Sequence, residues 1–244
     1  MPSILRSPRA GLIAAAVLAA VLGACDVNTE PPGPTQTEPV SVDLDNSEMV
    51  RVELRIGAGK LDVSGGATKL VEGDFSYNVP SWKPSVRWTP SSFRGLLTIE
   101  QPNHSRGGFG HTEYDWRLRF NNDKPVDMFV NLGAGEAKLR LGSLNLRSVQ
   151  VDMGVGKLEM DLRGTTRGDY SVRIHGGVGE ADVYLPSDAG ISAYAKGGIG
   201  GIRADGLNKD GDRYTSDNWE KAPHRVRLDI QGGIGQINLI TSGS

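Results

Sequence analysis

Residues 126–162 read VDMFVNLGAGEAKLRLGSLNLRSVQVDMGVGKLEMDL and contain one pattern twice. In each copy, apolar and polar residues alternate up to a Gly-x-Gly unit and alternate again after it. Alternation with a period of two is typical of a β-strand that buries one face. The pattern therefore predicts two long strands, each with a glycine unit near its middle.

Six Gly-x-Gly units in the chain are followed directly by alternating apolar residues, and the four central ones follow one another every 21 to 23 residues. A repeat of this length is typical of stacked units that cannot bury their apolar faces alone. We therefore predict an all-β fold, a β-solenoid with about 21–23 residues per coil. The glycines of the six units are Gly57, Gly59, Gly133, Gly135, Gly154, Gly156, Gly177, Gly179, Gly198, Gly200, Gly233 and Gly235.

The apolar pattern shifts by one residue across each unit, for example from Val130 and Leu132 to Ala137 and Leu139. A shift of one residue turns side chains to the other face of a strand. We therefore predict that the glycines form corners that bend the strand and return the apolar side chains to the interior. Coils are expected to stack in chain order, and the middle residues of the units are expected to face inward: Ala58, Ala134, Val155, Val178, Ile199 and Ile234.

Residues 1–25 are predicted to be a lipoprotein signal peptide. Arg6 and Arg9 precede an apolar run over residues 11–22, which is too short to span a bilayer. The run ends in LGAC, which resembles a lipobox and implies cleavage before Cys25 and lipidation of its thiol. An ordinary secretory signal is the alternative. Residues 26–47 begin with a stretch rich in Pro, Thr and Glu and are predicted to be a disordered tether, followed by one domain over residues 48–244.

Charge and cysteine content limit the partners of the exported chain. Loss of residues 1–25 changes the formal net charge from −2 to −4, because that segment carries two arginines and no acidic residue. A mildly acidic chain without a basic stripe argues against nucleic acid as a partner. One cysteine cannot form an internal disulfide. We expect a membrane-anchored protein of the bacterial envelope, with an envelope protein or a cell-wall polymer as its partner, and either membrane could hold it.

Residues 65–124 separate the first two glycine units and contain nine of the fifteen aromatic residues. Short apolar runs divided by prolines predict an antiparallel insertion near the N-terminal end of the solenoid. Exposed aromatic faces bind sugar rings or protein partners, whereas a sheet of short strands needs large side chains for its own core. Both interpretations are open, and the candidate binding face consists of Trp82, Trp88, Tyr114 and Trp116.

A second, polar interruption covers residues 205–223. Asn208, Asp210 and Asp212 alternate around Gly211, as ligands do in a calcium loop. The glycine and the final glutamate of an EF-hand loop are not at their required positions. We therefore expect a surface hairpin with an Asp-Gly turn, and we predict no metal site and no cofactor.

The chain is predicted not to be an enzyme. The glycine units lead into strands and no Gly-Lys-Ser/Thr follows them, so they do not match phosphate-binding loops. Asp152, Asp161 and Asp182 at outward strand positions are the candidate acids of a polysaccharide-active β-helix enzyme. Cross-strand pairing of charges explains the same residues.

From about Glu48 onward the chain resembles the toast-rack domain family, through VELRIGAGKLDVSGG, residues 126–162 and the closing LDIQGGIGQINL. That family is related to the C-terminal domain of cell-wall-active antibiotic response proteins and to β-solenoid adhesins. The resemblance implies an all-β solenoid at the bacterial envelope without catalytic residues. We expect a lipid-anchored, non-catalytic binding or regulatory scaffold in envelope stress response or adhesion. The alternatives are a self-assembling structural solenoid and a polysaccharide-active enzyme.

Overall fold

The computed structural model describes residues 30–102 and 111–241, which form a single sheet of thirteen strands. One 3-10 helix, Pro80–Trp82, is the only helix in the described residues. The predicted all-β class is therefore confirmed. The strands are β1 (Gln36–Val42), β2 (Met49–Gly65), β3 (Val71–Tyr77), β4 (Ser85–Thr89), β5 (Arg94–Glu100), β6 (Tyr114–Phe120), β7 (Val126–Arg140), β8 (Leu146–Asp161), β9 (Tyr170–Leu185), β10 (Gly190–Asp205), β11 (Asn208–Asp210), β12 (Arg213–Thr215) and β13 (Arg225–Thr241).

The six long strands each contain one Gly-x-Gly unit, and they pair in parallel with the units in register. Each strand bends at its unit. An ideal Cβ on Gly232 would lie 3.3 Å from Cδ1 of Ile237, although residues five apart in a straight strand are about 17 Å apart. We call the halves before and after the unit the first arm and the second arm. Both arms turn their aliphatic side chains into one continuous core.

The corner needs glycine for two separate reasons, which Gly154 and Gly156 illustrate. Gly156 has a φ of +142°, a backbone conformation that residues with a Cβ rarely adopt. A Cβ on Gly154 would collide with the carbonyl oxygen of Gly133 on the neighbouring strand. The corner backbones of successive coils therefore stack closely, and a side chain at either glycine would separate them.

The coils do not stack in chain order, so that expectation was wrong for the last two. The spatial order is β2-β7-β8-β9-β13-β10, in which β13 lies between β9 and β10. Asp182 consequently pairs with Asn238 rather than with Arg203. The exchange places the second arm of β13, which is more apolar than that of β10, between two neighbouring strands. Ile237 and Leu239 of β13 are buried, whereas Ile202 of β10 is only half-buried.

The aromatic insertion contains the antiparallel pairs β3/β6 and β4/β5, but it joins the solenoid through parallel pairs. β5 pairs with the first arm of β2 and β6 pairs with its second arm. Together these two strands take the place of a coil. Gln101, after the end of β5, accepts a hydrogen bond from the Gly57 amide, and the carbonyl of Tyr114, at the start of β6, lies beside Gly59.

The predicted disordered tether is wrong for its second half. Gln36–Val42 forms β1, which pairs along its whole length with β3 and buries Val40. The physical reason is that β3 offers an unpaired edge, and alternate apolar residues of this short segment can pack against the core there. Residues 26–29 lie outside the described residues.

Candidate functional site

The predicted aromatic binding face is part of the core, so this interpretation was wrong. Trp82, Tyr114 and Trp116 are only 6%, 3% and 1% exposed. The rings of Trp82 and Tyr114 meet edge-on with centroids 5.7 Å apart, and those of Tyr114 and Trp116 are tilted with centroids 5.9 Å apart. Trp88 is half-buried against the same core. Large side chains fill this region because the strands of the insertion are short.

Buried phenols beside this core stay neutral. Burial raises the pKa of the Tyr114 hydroxyl above its ordinary value. Burial, with a hydrogen bond to Glu38, raises the pKa of Tyr77 to about 12. The Tyr77 hydroxyl donates this bond at 2.9 Å, and Lys83 forms an ion pair with the same carboxylate at 2.8 Å. These contacts hold β1 against β3 and have a structural role.

The middle residues of the glycine units point outward, contrary to the prediction. Ile199, Val155, Ile234 and Val178 are 72%, 54%, 51% and 47% exposed. Counting alternation alone misses this, because a strand that bends around its core turns the residue between the two glycines to the convex side. Cross-strand register aligns all six into one exposed row, here called the corner ridge: Ala58, Ala134, Val155, Val178, Ile234 and Ile199.

An apolar cavity of about 50 Å³ lies beneath part of the ridge, inside the corner of β9 and β13. In β2, β7 and β8 the residue before the glycine unit is Ile56, Leu132 or Met153, and each of these side chains is buried inside the corner. In β9, β13 and β10 a third glycine takes this position: Gly176, Gly232 and Gly197. The missing side chains leave the space, which is lined by Met153, Leu158, Ile174, Ala181, Ile230 and Ile237 among others.

The three candidate catalytic carboxylates are not brought together. Asp152 lies 3.0 Å from Nδ1 of His175, whereas Asp161 binds Arg163, which holds the pKa of that carboxyl below its ordinary value. Asp182 accepts a hydrogen bond from Asn238 at 2.6 Å and forms an ion pair with Lys157. Each group has a partner on an adjacent strand or, for Asp161, two residues beyond the end of its own strand. This is the arrangement that pairing of charges across a solvated sheet produces.

Charged side chains alternate in sign on the second arms across three coils. Glu136, Lys157 and Glu180 occupy adjacent register positions, and Lys157 contacts Glu180 at 3.2 Å. Bonds to Asp182 and Glu180 raise the pKa of Lys157. These groups are solvated, so each pair stabilises the sheet only slightly.

The polar interruption forms the expected hairpin. β11 and β12 pair on either side of Gly211, which has a φ of +60°. β12 then pairs with Ser192–Tyr194 of β10 and covers the outer edge of its first arm. No cluster of metal-ligating side chains occurs in residues 30–102 and 111–241.

A groove of about 540 Å³ lies at the corner of the first coil, between Ala58 and Lys60 on one side and Trp82, Glu113 and Tyr114 on the other. The described chain begins beside this groove, because Glu30 accepts a hydrogen bond from the Ser81 amide at 3.1 Å. Farther along, the Gly33 amide binds the Asn78 carbonyl at 2.7 Å. The N-terminal segment thus enters the fold at the level of the corners.

The predicted lipidation site, Cys25, and the signal segment lie outside the described residues. Within the described ranges, no helix has the length and apolar character needed to cross a membrane.

The parallel strands of this solenoid bend at stacked glycine corners, and β5 and β6 together take the place of one coil. These features define a class of all-β repeat protein. The chain belongs to the toast-rack family: the family described as "N-terminal domain of toast_rack, DUF2154" matches residues 31–184. The predicted family is therefore confirmed. No curated protein sequence matches the chain.

One solved structure agrees with this assignment, and two others align more distantly. A "putative cell adhesion protein" from Clostridium sporogenes is 32% identical, with a TM-score of 0.83 over 86% of this chain and 100% of that one. A "putative adhesin" from Bacteroides fragilis aligns over 86% of this chain and 99% of its own, at 11% identity and a TM-score of 0.26. One from Parabacteroides distasonis aligns over the same shares at 12% and 0.26. The latter two are too distant for their geometry to bear on this chain.

Proposed function

We propose that the protein is a lipid-anchored component of the bacterial cell envelope whose solenoid is a non-catalytic binding or adhesion scaffold. The observation that carries the proposal is the 32% identity to a "putative cell adhesion protein" of known structure, all of which aligns with this chain. The candidate acids Asp152, Asp161 and Asp182 each have a partner within the chain, which argues against the catalytic alternative. The partner we propose is an envelope protein or a cell-wall polymer, and participation in envelope stress response is part of the same proposal.

The anchor rests on the LGAC sequence that ends at the only cysteine, Cys25. Its test is metabolic labelling of cells with an alkyne fatty acid, followed by membrane fractionation. We expect the full chain to incorporate the label and to fractionate with membranes, and we expect Cys25→Ser to lose the label. An unlabelled wild-type chain would overturn the anchor while leaving the scaffold proposal intact.

The binding role is tested by crosslinking in intact cells and by co-sedimentation of the full chain with purified cell wall. A reproducible neighbour, or saturable sedimentation, is expected. The Asp152→Asn, Asp161→Asn and Asp182→Asn variants address the enzyme alternative in the same preparation. Release of soluble sugar fragments by the wild-type chain, lost in one of these variants, would replace the scaffold with a polysaccharide-active enzyme.

Self-assembly is a second candidate, favoured by one edge of the sheet. Among the described residues, β12 pairs with β10 at Ser192–Tyr194, and the second arm of β10 pairs on one side, with β13. Exposed strand edges pair with other chains. Sedimentation velocity over a range of concentrations should show growing assemblies if this edge is used, and Gly201→Lys should reduce them by placing a charge there. A monomer at all concentrations would remove this candidate.

A further inference from the structure

The geometry points to a membrane contact: we infer that the corner ridge rests on the lipid bilayer that holds the anchor. The solenoid would then lie along the membrane surface by its convex corner instead of standing away from it. This inference rests on the proposed lipid anchor at Cys25 and adds an orientation and a second contact to it.

The ridge has the extent and composition of a surface contact. Its six side chains are all aliphatic, and at the spacing of neighbouring strands they form a row of about 24 Å. Isolated exposed apolar residues are ordinary, but a contiguous row on a folded surface marks an interaction site. The side chains grow along the row, from alanine in β2 and β7 through valine in β8 and β9 to isoleucine in β13 and β10.

The shape of the corner fits a flat and deformable surface such as a lipid bilayer. Each ridge residue lies between two glycines, so no neighbouring side chain on its own strand stands beside it. The nearest charged groups, such as Arg55, Lys60, Asp152 and Lys157, lie at least two positions away along the strands. When the ridge enters the boundary between headgroups and acyl chains, these groups can remain among the headgroups.

The place where the N-terminal segment joins the fold indicates that the partner of the ridge is the bilayer that holds the anchor. Gln36 pairs with Tyr77, which pairs with Tyr114, and the Tyr114 carbonyl lies against the first corner at Gly59. β1 therefore starts at the corner side of the molecule, and Glu30 is bound at Ser81 beside the corner groove. Four residues separate Cys25 from Glu30. Fully extended, this segment reaches about 17 Å, which keeps a lipidated Cys25 near the corner edge of the first coils.

A second copy of the chain fits the ridge less well. A stable interface between proteins buries about 1,000 Å² or more, and a row one side chain wide supplies little of this area. A bilayer needs no complementary groove. The anchor would lie near the alanine end of the ridge, and Val178, Ile234 and Ile199 lie toward the other end. The two contacts with the membrane are therefore separate, and stable membrane attachment uses two such signals.

The test uses the full lipidated chain reconstituted into vesicles of phosphatidylethanolamine and phosphatidylglycerol at about 3:1, by analogy with bacterial lipid surfaces. Because lipidation blocks the only native cysteine, one engineered cysteine can carry an environment-sensitive dye. Ile199→Cys and Val178→Cys report on the ridge. Tyr194→Cys is the matched control, since Tyr194 is exposed on β10 but lies five residues before the ridge residue Ile199.

We expect the dye at Ile199→Cys and Val178→Cys to brighten several-fold and shift to the blue on vesicles, and the dye at Tyr194→Cys to remain unchanged. Equal thermal melting of all three variants and the parent chain will establish that they fold. If the chains float with the vesicles but all three dyes keep the emission of an aqueous environment, the ridge contact is overturned and the anchor is not. Chains that do not float would overturn the anchor as well. Disulfide-linked dimers of Ile199→Cys formed without vesicles would overturn the bilayer in favour of a second copy.

Discussion

The first three coils and the last three share one corner but fill it differently. In β2, β7 and β8 a buried Ile56, Leu132 or Met153 packs inside the bend. In β9, β13 and β10 a third glycine leaves an apolar cavity there. The comparison separates two uses of glycine that the sequence does not distinguish. The glycines of each Gly-x-Gly unit allow coils to stack, whereas the extra glycine of the last three coils only removes a side chain.

The stacking glycines should be the least tolerant positions in the molecule. Gly156→Ala places a methyl group on a residue with φ +142°, against the carbonyl oxygen of Gly135. Because backbone strain and collision act together, we expect the free energy of unfolding to fall by about 4 kcal/mol or more. Chemical denaturation measures it. Gly168→Ala is the control, since its added Cβ meets nothing within 4 Å, and equal losses in the two variants would contradict the stacking argument.

Truncating a side chain inside the filled corners should cost less than a stacking glycine but remain large. Leu132 is fully buried between the arms of β7. We expect Leu132→Ala to lower the free energy of unfolding by about 3 kcal/mol, from lost burial and from the cavity it opens. Thermal and urea unfolding will measure the loss. An effect below about 1 kcal/mol would show that the corner collapses around the missing side chain, and the two halves would then not differ in packing.

The repeat itself could be predicted from sequence because alternation and glycine spacing are local. The strands and their corners follow from Val130, Leu132, Ala137 and Leu139 and their equivalents. The exchange of β13 and β10 could not be predicted. Residues 205–223 are long enough to allow either order, and the difference depends on whether Ile237 or Ile202 takes the inner position.

The candidate site was harder to predict, for physical reasons. Trp82, Tyr114 and Trp116 are the types that occur both in binding faces and in cores of short strands, and composition does not separate these cases. The outward position of Val155 and Ile199 depends on the direction in which the strand bends, and residue spacing alone does not give that direction. The signal that was available is the pair of flanking glycines, because a strand that bends toward its core there turns the residue between them outward.

The third glycine of the last coils should accept a side chain. A Cβ on Gly176 meets nothing within 4 Å, and Gly176 does not have a positive φ. We expect Gly176→Ala to raise the free energy of unfolding by about 0.5 kcal/mol, because alanine restricts the unfolded chain and its methyl group fits here without a clash. The adjacent Gly177→Ala is the contrasting variant, since its Cβ would collide with the Gly154 carbonyl and destabilise the fold. Destabilisation by both would mean that the empty corner is required.

The smallest change in stability is expected where the two halves meet. There Lys157 of β8 forms ion pairs with Asp182 and Glu180 of β9, at distances of 3.1 Å and 3.2 Å. Hydrogen bonds to Asp182 and Glu180 raise the pKa of Lys157 above its ordinary value of 10.5. A raised pKa stabilises the folded state fully below the unfolded-state value and loses that contribution as pH rises through the folded-state value. The stability difference between the parent chain and Lys157→Gln should therefore be constant from neutral pH to about pH 10 and narrow above it, as measured by urea unfolding. The narrowing should be weaker in the Glu180→Gln background, where only Asp182 remains. A difference that stays unchanged at alkaline pH would show that these contacts do not couple the two halves.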